Sequence, residues 1–178
     1  MKKLIIMTAI AVFGFTSVQA QDNGVKLGLN AGIPVGDSGD GSSFGIAIDA
    51  AYLVTVADSF QVGPAIGYQH YFSKEYDGPF GTTIEPDDFQ FIPIAGAARF
   101  DLDGLFFGAD LGYAIGINDD FDGGFYYRPK VGYNLGPVAL VLSYTGISGS
   151  ETVFSSGDFE VTRSGSFSAV NFGVEFGF

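Results

Sequence analysis

The sequence predicts an all-β protein, an eight-stranded antiparallel up-and-down transmembrane β-barrel, and three observations predict it. Apolar residues recur at every second position in eight separate stretches. The stretches are joined by connections that alternate between short and long. Within them, the ionised residues keep to the parity opposite the apolar ones.

The chain starts with Met1-Lys2-Lys3, an apolar run from Leu4 to Phe15, and Ser17-Val18-Gln19-Ala20. A basic start, a short greasy core and a small-x-small site describe a secretory signal peptide over 1–20, cut after Ala20, with one domain over 21–178. The run falls short of the ~20 apolar residues that carry a helix across a bilayer. No cysteine is present, so neither a lipid anchor on cysteine nor a disulfide is available. No later stretch is an unbroken apolar run, yet 47% of the residues are hydrophobic and 16% aromatic, which leaves strands as the spanning element. Losing Lys2 and Lys3 with the leader leaves six basic residues against twenty acidic ones. Such a surface repels a phosphate backbone and argues against nucleic acid as a partner.

The first stretch sets Val25, Leu27, Leu29, Ala31 and Ile33 against Lys26, Gly28, Asn30 and Gly32. That is the period of a two-faced strand. The same pattern places strands at 24–33, 43–54, 59–72, 89–102, 105–117, 125–135, 138–148 and 165–178. Most reach the ~9–11 residues that a tilted strand needs to cross a bilayer. Thr55–Asp58, Asp103–Gly104 and Gly136–Pro137 read as tight turns; Pro34–Ser42, Ser73–Asp88, Asn118–Gly124 and Gly149–Ser164 read as long loops. A barrel threaded through a membrane alternates in this way, with tight turns on the periplasmic rim and loops outside.

Lys26, Asp49, Arg99, Asp101, Asp110, Arg128, Lys130 and Glu175 all sit on the polar parity. A Lys or Arg facing lipid near the midplane costs about 2–4 kcal/mol, so these residues face the lumen. They are expected to form a network there with Asn30, Gln61, Gln69, Asn134 and Asn171, because eight strands leave an interior only wide enough for side chains. Joining the last strand to the first predicts a Lys26–Glu175 ion pair. Leu53, Phe106 and Val141 are apolar at inward positions, and Pro93 leaves the parity of its strand open between Phe91 and Ile92. Pro64 and Pro129 predict a bulge or a rim position. Aromatic girdles are expected from Phe44, Tyr68, Phe72, Phe89, Phe125, Tyr127 and Tyr144 at one rim and Phe60, Phe100, Tyr133 and Phe176 at the other.

The chain stops on Phe172, Val174, Phe176 and Phe178, one face of a strand that closes on an aromatic carboxylate. This resembles the C-terminal insertion signal of outer-membrane barrels. With the leader and the strand count, the chain is similar to the small outer membrane β-barrel family that includes OmpX-like and OmpA-barrel-like proteins. The resemblance implies the outer membrane of a Gram-negative bacterium, with both termini on the periplasmic side. It implies a monomer in contact with outer-membrane lipid and lipopolysaccharide, inserted by the barrel-assembly machinery, and no cofactor. It also implies a role in envelope integrity, adhesion or defence, with an extracellular partner reached through the outer loops.

Three features of the sequence could carry chemistry or recognition. His70 falls on the lipid-facing parity near the outer rim, as does the histidine of lipid A hydrolases that carry Ser-His-Glu on an eight-stranded wall. That histidine needs a serine and an orienting carboxylate within reach. No outward serine and carboxylate stand out on the neighbouring strands, so His70 reads as an interfacial residue and the chain as no enzyme. The acidic loops hold Asp37, Asp40, Glu75, Asp77, Glu85, Asp87, Asp88, Asp119, Asp120, Asp122, Glu151, Asp158 and Glu160. Asn118–Gly124 lacks the spacing and distal Glu of a calcium loop, so these carboxylates read as a solvated surface. Phe121, the run Gly124–Tyr127 and Phe154 are the apolar loop residues offered to a partner. A soluble lipocalin-like binder is the rival reading, and it requires an apolar interior, the inverse of where the charges fall.

Overall fold

A pattern of period two gives a chain one economical form, a strand with one greasy face and one polar face. The structure is a computed structural model. It describes the backbone of residues 24–74, 76–77, 83–84, 86–117, 123–156 and 159–178, and the side chains of 24–74, 86–117, 123–149 and 165–178. The leader and its cleavage site lie outside the described residues. So do the side chains of Glu75, Asp77, Glu85, Asp119, Asp120, Asp122, Glu151, Asp158, Glu160, Phe121 and Phe154.

Eight long strands form a closed antiparallel barrel: β1 (Gly24–Pro34), β2 (Ser42–Ala57), β3 (Phe60–Ser73), β6 (Phe89–Leu102), β7 (Leu105–Gly116), β8 (Gly123–Asn134), β9 (Val138–Ser156) and β10 (Phe159–Gly177). Two short strands, β4 (Tyr76–Asp77) and β5 (Thr83–Ile84), pair with each other in the second loop, and a five-residue helix, α1 (Asp37–Gly41), lies in the first. Around the wall the order is β1-β10-β9-β8-β7-β6-β3-β2. The seam pairs Leu27 with Phe176 and Leu29 with Val174, and Val25 and Phe178 exchange backbone hydrogen bonds at 3.1 and 2.9 Å. A closed ladder leaves no open edge, which inside hydrocarbon would cost several kcal/mol per unpaired group.

Two expectations about the connections change. The first tight turn is not Thr55–Asp58: β2 continues to Ala57 through a register shift, and the chain reverses at Asp58 and Ser59, with Ser59 at φ 64°. At Asp103–Gly104 both residues take positive φ, 44° and 94°, the geometry whose twist suits a two-residue hairpin. The last loop, Gly149–Ser164, is mostly strand. β9 and β10 go on pairing to Ser156 and Phe159, with one irregularity at Val161/Thr162. Thr152, Val153, Phe154, Phe159, Val161 and Thr162 have the strand propensity that the interspersed serines masked.

The prolines cause no bulge. Beside Pro64 the β2–β3 ladder lacks two residue pairs and resumes in the same register between Val54↔Val62 and Ala51↔Ala65. Pro93 does the same between β3 and β6, and Pro129 between β8 and β9. Each ring withholds one N–H from one neighbour, and the other neighbour keeps the strand in line.

The faces separate as the charges require. Ile46, Ile48, Leu111 and Leu142 stand about half exposed on the exterior, whereas Arg128 and Asp110 are each 3% exposed in the lumen. The interior is nonetheless not polar throughout. Tyr71, Phe91, Ala114, Tyr126, Ile147, Phe167 and Ala169 form an apolar layer toward the loop end, and Phe106, Ala139 and Val141 form a smaller one toward the turns. Pro93 and Phe91 are both buried, which fixes odd-numbered residues of β6 as inward. Phe89 therefore leaves the expected outer girdle and packs inside, its ring 5.6 Å from that of Phe167.

Candidate functional site

The lumen also holds two arginine hubs, one on Arg128 and one on Arg99 level with the smaller apolar layer. Arg128 stands across the ladder from Asp110 on β7 yet spans the lumen instead. Its Nη1 donates to Asp49 Oδ1 at 2.7 Å, its Nη2 to Asn30 Oδ1 at 3.0 Å and its Nε to Ser143 Oγ at 3.1 Å. Asn30 Nδ2 in turn donates to Asp49 Oδ1 at 2.7 Å, which closes the ring of contacts. Arg99 repeats the arrangement nearer the turns, donating to Glu175 at 2.5 Å, Asn134 at 2.7 Å and Asp101 at 3.1 Å. Its guanidinium lies 3.5 Å from the ring centroid of Phe106, a cation–π contact with a wall otherwise apolar. Gly132 makes room for that ring, since a Cβ there would come within 2.3 Å of it.

Asp110 goes to Lys130, whose Nζ lies 2.9 Å from Oδ1 and donates to Oδ2 at 3.0 Å. The space beside them, lined by Asp49, Asp110, Tyr126, Arg128 and Lys130, measures about 10 Å³. That is the room of one water molecule.

The expected Lys26–Glu175 pair does not form. In the seam register Lys26 faces Gly177 while Glu175 faces Gly28, so the two are diagonal neighbours. The long arm of Arg99 reaches Glu175 from the far wall first. Lys26 instead lines a cavity of about 440 Å³ at the turn rim, with Thr55, Gln61, Asp101 and Asn134. Of the predicted lumenal set, Asp49, Arg99, Asp110, Arg128, Lys130 and Glu175 pair among themselves, and Lys26 stands apart. On the terminal strand Phe172 is exposed on the exterior and Val174, Phe176 and Phe178 are partly so.

A second cluster lies outside the barrel, near the loop rim. Asp88 accepts from the backbone N–H of Ser73 at 2.8 Å through Oδ1, and its Oδ2 lies 2.8 Å from His70 Nε2. On the other side of the imidazole, Nδ1 lies 3.2 Å from the Tyr68 hydroxyl, which donates to Gln90 Oε1 at 2.9 Å. The carboxylate that the sequence reading did not assign to His70 is thus Asp88, brought in by the end of the second loop. The group at Nδ1 is a tyrosine, while the Ser43 and Ser73 hydroxyls donate to the carbonyls of Phe72 and Asp87. The serine-centred arrangement of a lipid A hydrolase is therefore not what surrounds His70.

The Ser73 amide, with lesser help from the His70 side chain, holds the Asp88 carboxyl below its ordinary 3.8. A folded value below the unfolded one means that this contact contributes fully above the unfolded value and is lost as pH falls through the folded value. Titrating the barrel in micelles by NMR should therefore move the Ser73 amide proton with a midpoint under 3.8. Asp88→Asn should remove that transition; a midpoint at or above the ordinary carboxyl value would contradict the contact.

No family model and no curated relative matches this chain. Among solved structures it is similar to a barrel described as de novo design of transmembrane beta-barrels, at TM-score 0.48 and 11% identity over 90% of this chain and 100% of that one. It is similar to Neisserial surface protein A at TM-score 0.46 and 20% identity, over 89% and 100%. It is also similar to outer membrane protein AlkL, solved in DMPC lipid bilayers, at TM-score 0.45 and 15% identity, over 92% and 93%. These likenesses concern the barrel alone.

Proposed function

We propose that this chain is an integral barrel of a Gram-negative outer membrane, with its tight turns toward the periplasm and its loops outside. Its role is structural or surface-interacting, in envelope integrity, adhesion or defence. One observation carries the reading: the ionised side chains of the strands turn inward while large apolar ones cover the exterior, between bands of aromatic residues. A water-soluble barrel inverts that distribution, and an exterior of this kind is stable only against hydrocarbon.

The interior supports the same choice. A lipocalin-like binder needs an apolar chamber, whereas the space beside Asp49, Asp110, Arg128 and Lys130 has room for one water. A conducting pore needs a free axis, and the rings of Tyr71, Phe91, Tyr126 and Phe167 occupy it.

Leu111→Arg separates the readings. Leu111 is exposed in mid-β7. On the lipid face near the midplane the change should cost about 2–4 kcal/mol. On a water-facing surface it should shift stability by no more than about 0.5 kcal/mol. Urea unfolding in vesicles, followed as loss of the fast-migrating unheated band on gels, measures it. An unshifted midpoint would reject the membrane reading.

A further inference from the structure

Lys26 differs from the other cations of the lumen. Among the described residues, Arg99, Arg128 and Lys130 each hold a carboxylate there, and Lys26 holds none. It is partly buried all the same. An ammonium kept in such a place is desolvated without the return of an ion pair, and ionisable residues of that kind within a membrane span mark function.

What Lys26 lines is the cavity of about 440 Å³ at the turn rim, a size within the ~300–1,000 Å³ of small-molecule sites. Asp101 lines the same cavity. Round the wall from β1, the strands β2 and β3 intervene before β6, which carries Asp101, so the two charges rise from separate parts of the wall. The fold uses one oxygen of that carboxylate: Arg99 Nε at 3.1 Å and Asn134 Nδ2 at 3.2 Å both donate to Oδ1, and Oδ2 is left as an acceptor. The neighbours have less to offer. Each nitrogen of the Arg99 guanidinium already has an acceptor, in Asp101, Glu175 or Asn134, and both polar atoms of the Asn134 side chain are engaged.

We propose that this cavity binds a short zwitterionic peptide, its carboxylate on Lys26 Nζ and its terminal ammonium on Asp101 Oδ2. The class of ligand follows from the pair. A simple anion meets Asp101 as a like charge and a simple cation meets Lys26 as one, whereas a ligand with both charges satisfies each. Lys26 and Asp101 form no ion pair with each other among the described residues. The charges of the ligand must therefore stand apart as well, as at the two ends of a dipeptide. The site goes beyond the membrane reading, which sets only the compartment that the cavity faces.

Glycylglycine is the probe, beside N-acetylglycylglycine, which lacks the ammonium, and glycylglycinamide, which lacks the carboxylate. Titrated at neutral pH into the isotope-labelled barrel in micelles, glycylglycine should shift the backbone amide signals of Lys26, Asp101 and Gly136 to saturation. Each analogue should bind about tenfold more weakly, the loss of one charged contact. Lys26→Met and Asp101→Asn should weaken glycylglycine to the same extent, while Lys26→Arg, which keeps the cation, should retain it. Asp101→Asn leaves an acceptor oxygen for Arg99 and Asn134, so the barrel should still fold, and band mobility of unheated samples checks each variant. Lys74→Met, at the loop rim where Nζ donates to the Gly39 carbonyl, should leave binding unchanged. Equal affinity for the three probes, undiminished affinity in Lys26→Met, or shifts that never saturate would overturn the site. Those outcomes leave the membrane reading standing, which falls instead with a barrel that stays soluble without detergent.

Discussion

Arg128→Met is expected to destabilise the folded barrel by about 3–5 kcal/mol, the cost of leaving a buried charge without its partner. The side chain fills similar space, so the loss is electrostatic. Asp49 loses its guanidinium and keeps only Asn30 Nδ2, while Asn30 Oδ1 and Ser143 Oγ lose their donor. Adding Asp49→Asn to Arg128→Met should recover a large part of the loss, because removing both charges avoids the orphan that removing one creates. Urea midpoints of the parent, both single variants and the double variant form the cycle that measures this coupling. Equal midpoints for parent and Arg128→Met would mean that the hub is dispensable.

Arg99→Met should be nearly as costly, and Lys26→Met close to neutral. Arg99 satisfies Glu175, Asn134 and Asp101 and lies on Phe106; its side chain is 4% exposed and that of Glu175 is 8%. Its removal takes the guanidinium from two carboxylates at once, the buried Glu175 and Asp101, of which Asp101 keeps Asn134 Nδ2 at 3.2 Å. Lys26 is only partly buried and among the described residues holds no ion pair, so its replacement should stay within about 0.5 kcal/mol, as for a surface site. Thermal gel-shift midpoints of the two variants give the comparison. If Lys26→Met fell further than Arg99→Met, Glu175 would belong to Lys26 after all.

That ordering marks where the sequence stops being readable. Parity told which face each charge occupies, because one misplaced Arg in lipid costs more than any local preference. It did not tell which carboxylate each cation meets. Lys26 and Glu175 are near in the seam, yet cross-lumen reach depends on strand tilt and stagger, which no single strand encodes. Where both parities are apolar or aromatic, as at Tyr71 and Phe72 or Phe91 and Ile92, alternation cannot assign inside from outside. The interior aromatic layer and the placement of Phe89 went unread for that reason. The His70 site was half legible: the outward histidine shows in the alternation, but Asp88 reaches it only because the second loop returns over the wall. The serine-rich segment at 149–164 read as loop because composition outweighed its strand formers.

The seam between β1 and β10 has a consequence for how the molecule is made. Lys26 meets Gly177, so β1, the earliest of the eight barrel strands in the chain, must wait for β10, the latest of them, before its partner exists. Long-range pairing of this kind is paid for in chain entropy before any contact rewards it, which makes folding slow. Until then the nascent polypeptide carries two raw edges and a hydrophobic flank through an aqueous compartment, a state prone to sticking to its own copies. Rapid production of this chain is therefore expected to yield precipitate rather than barrels.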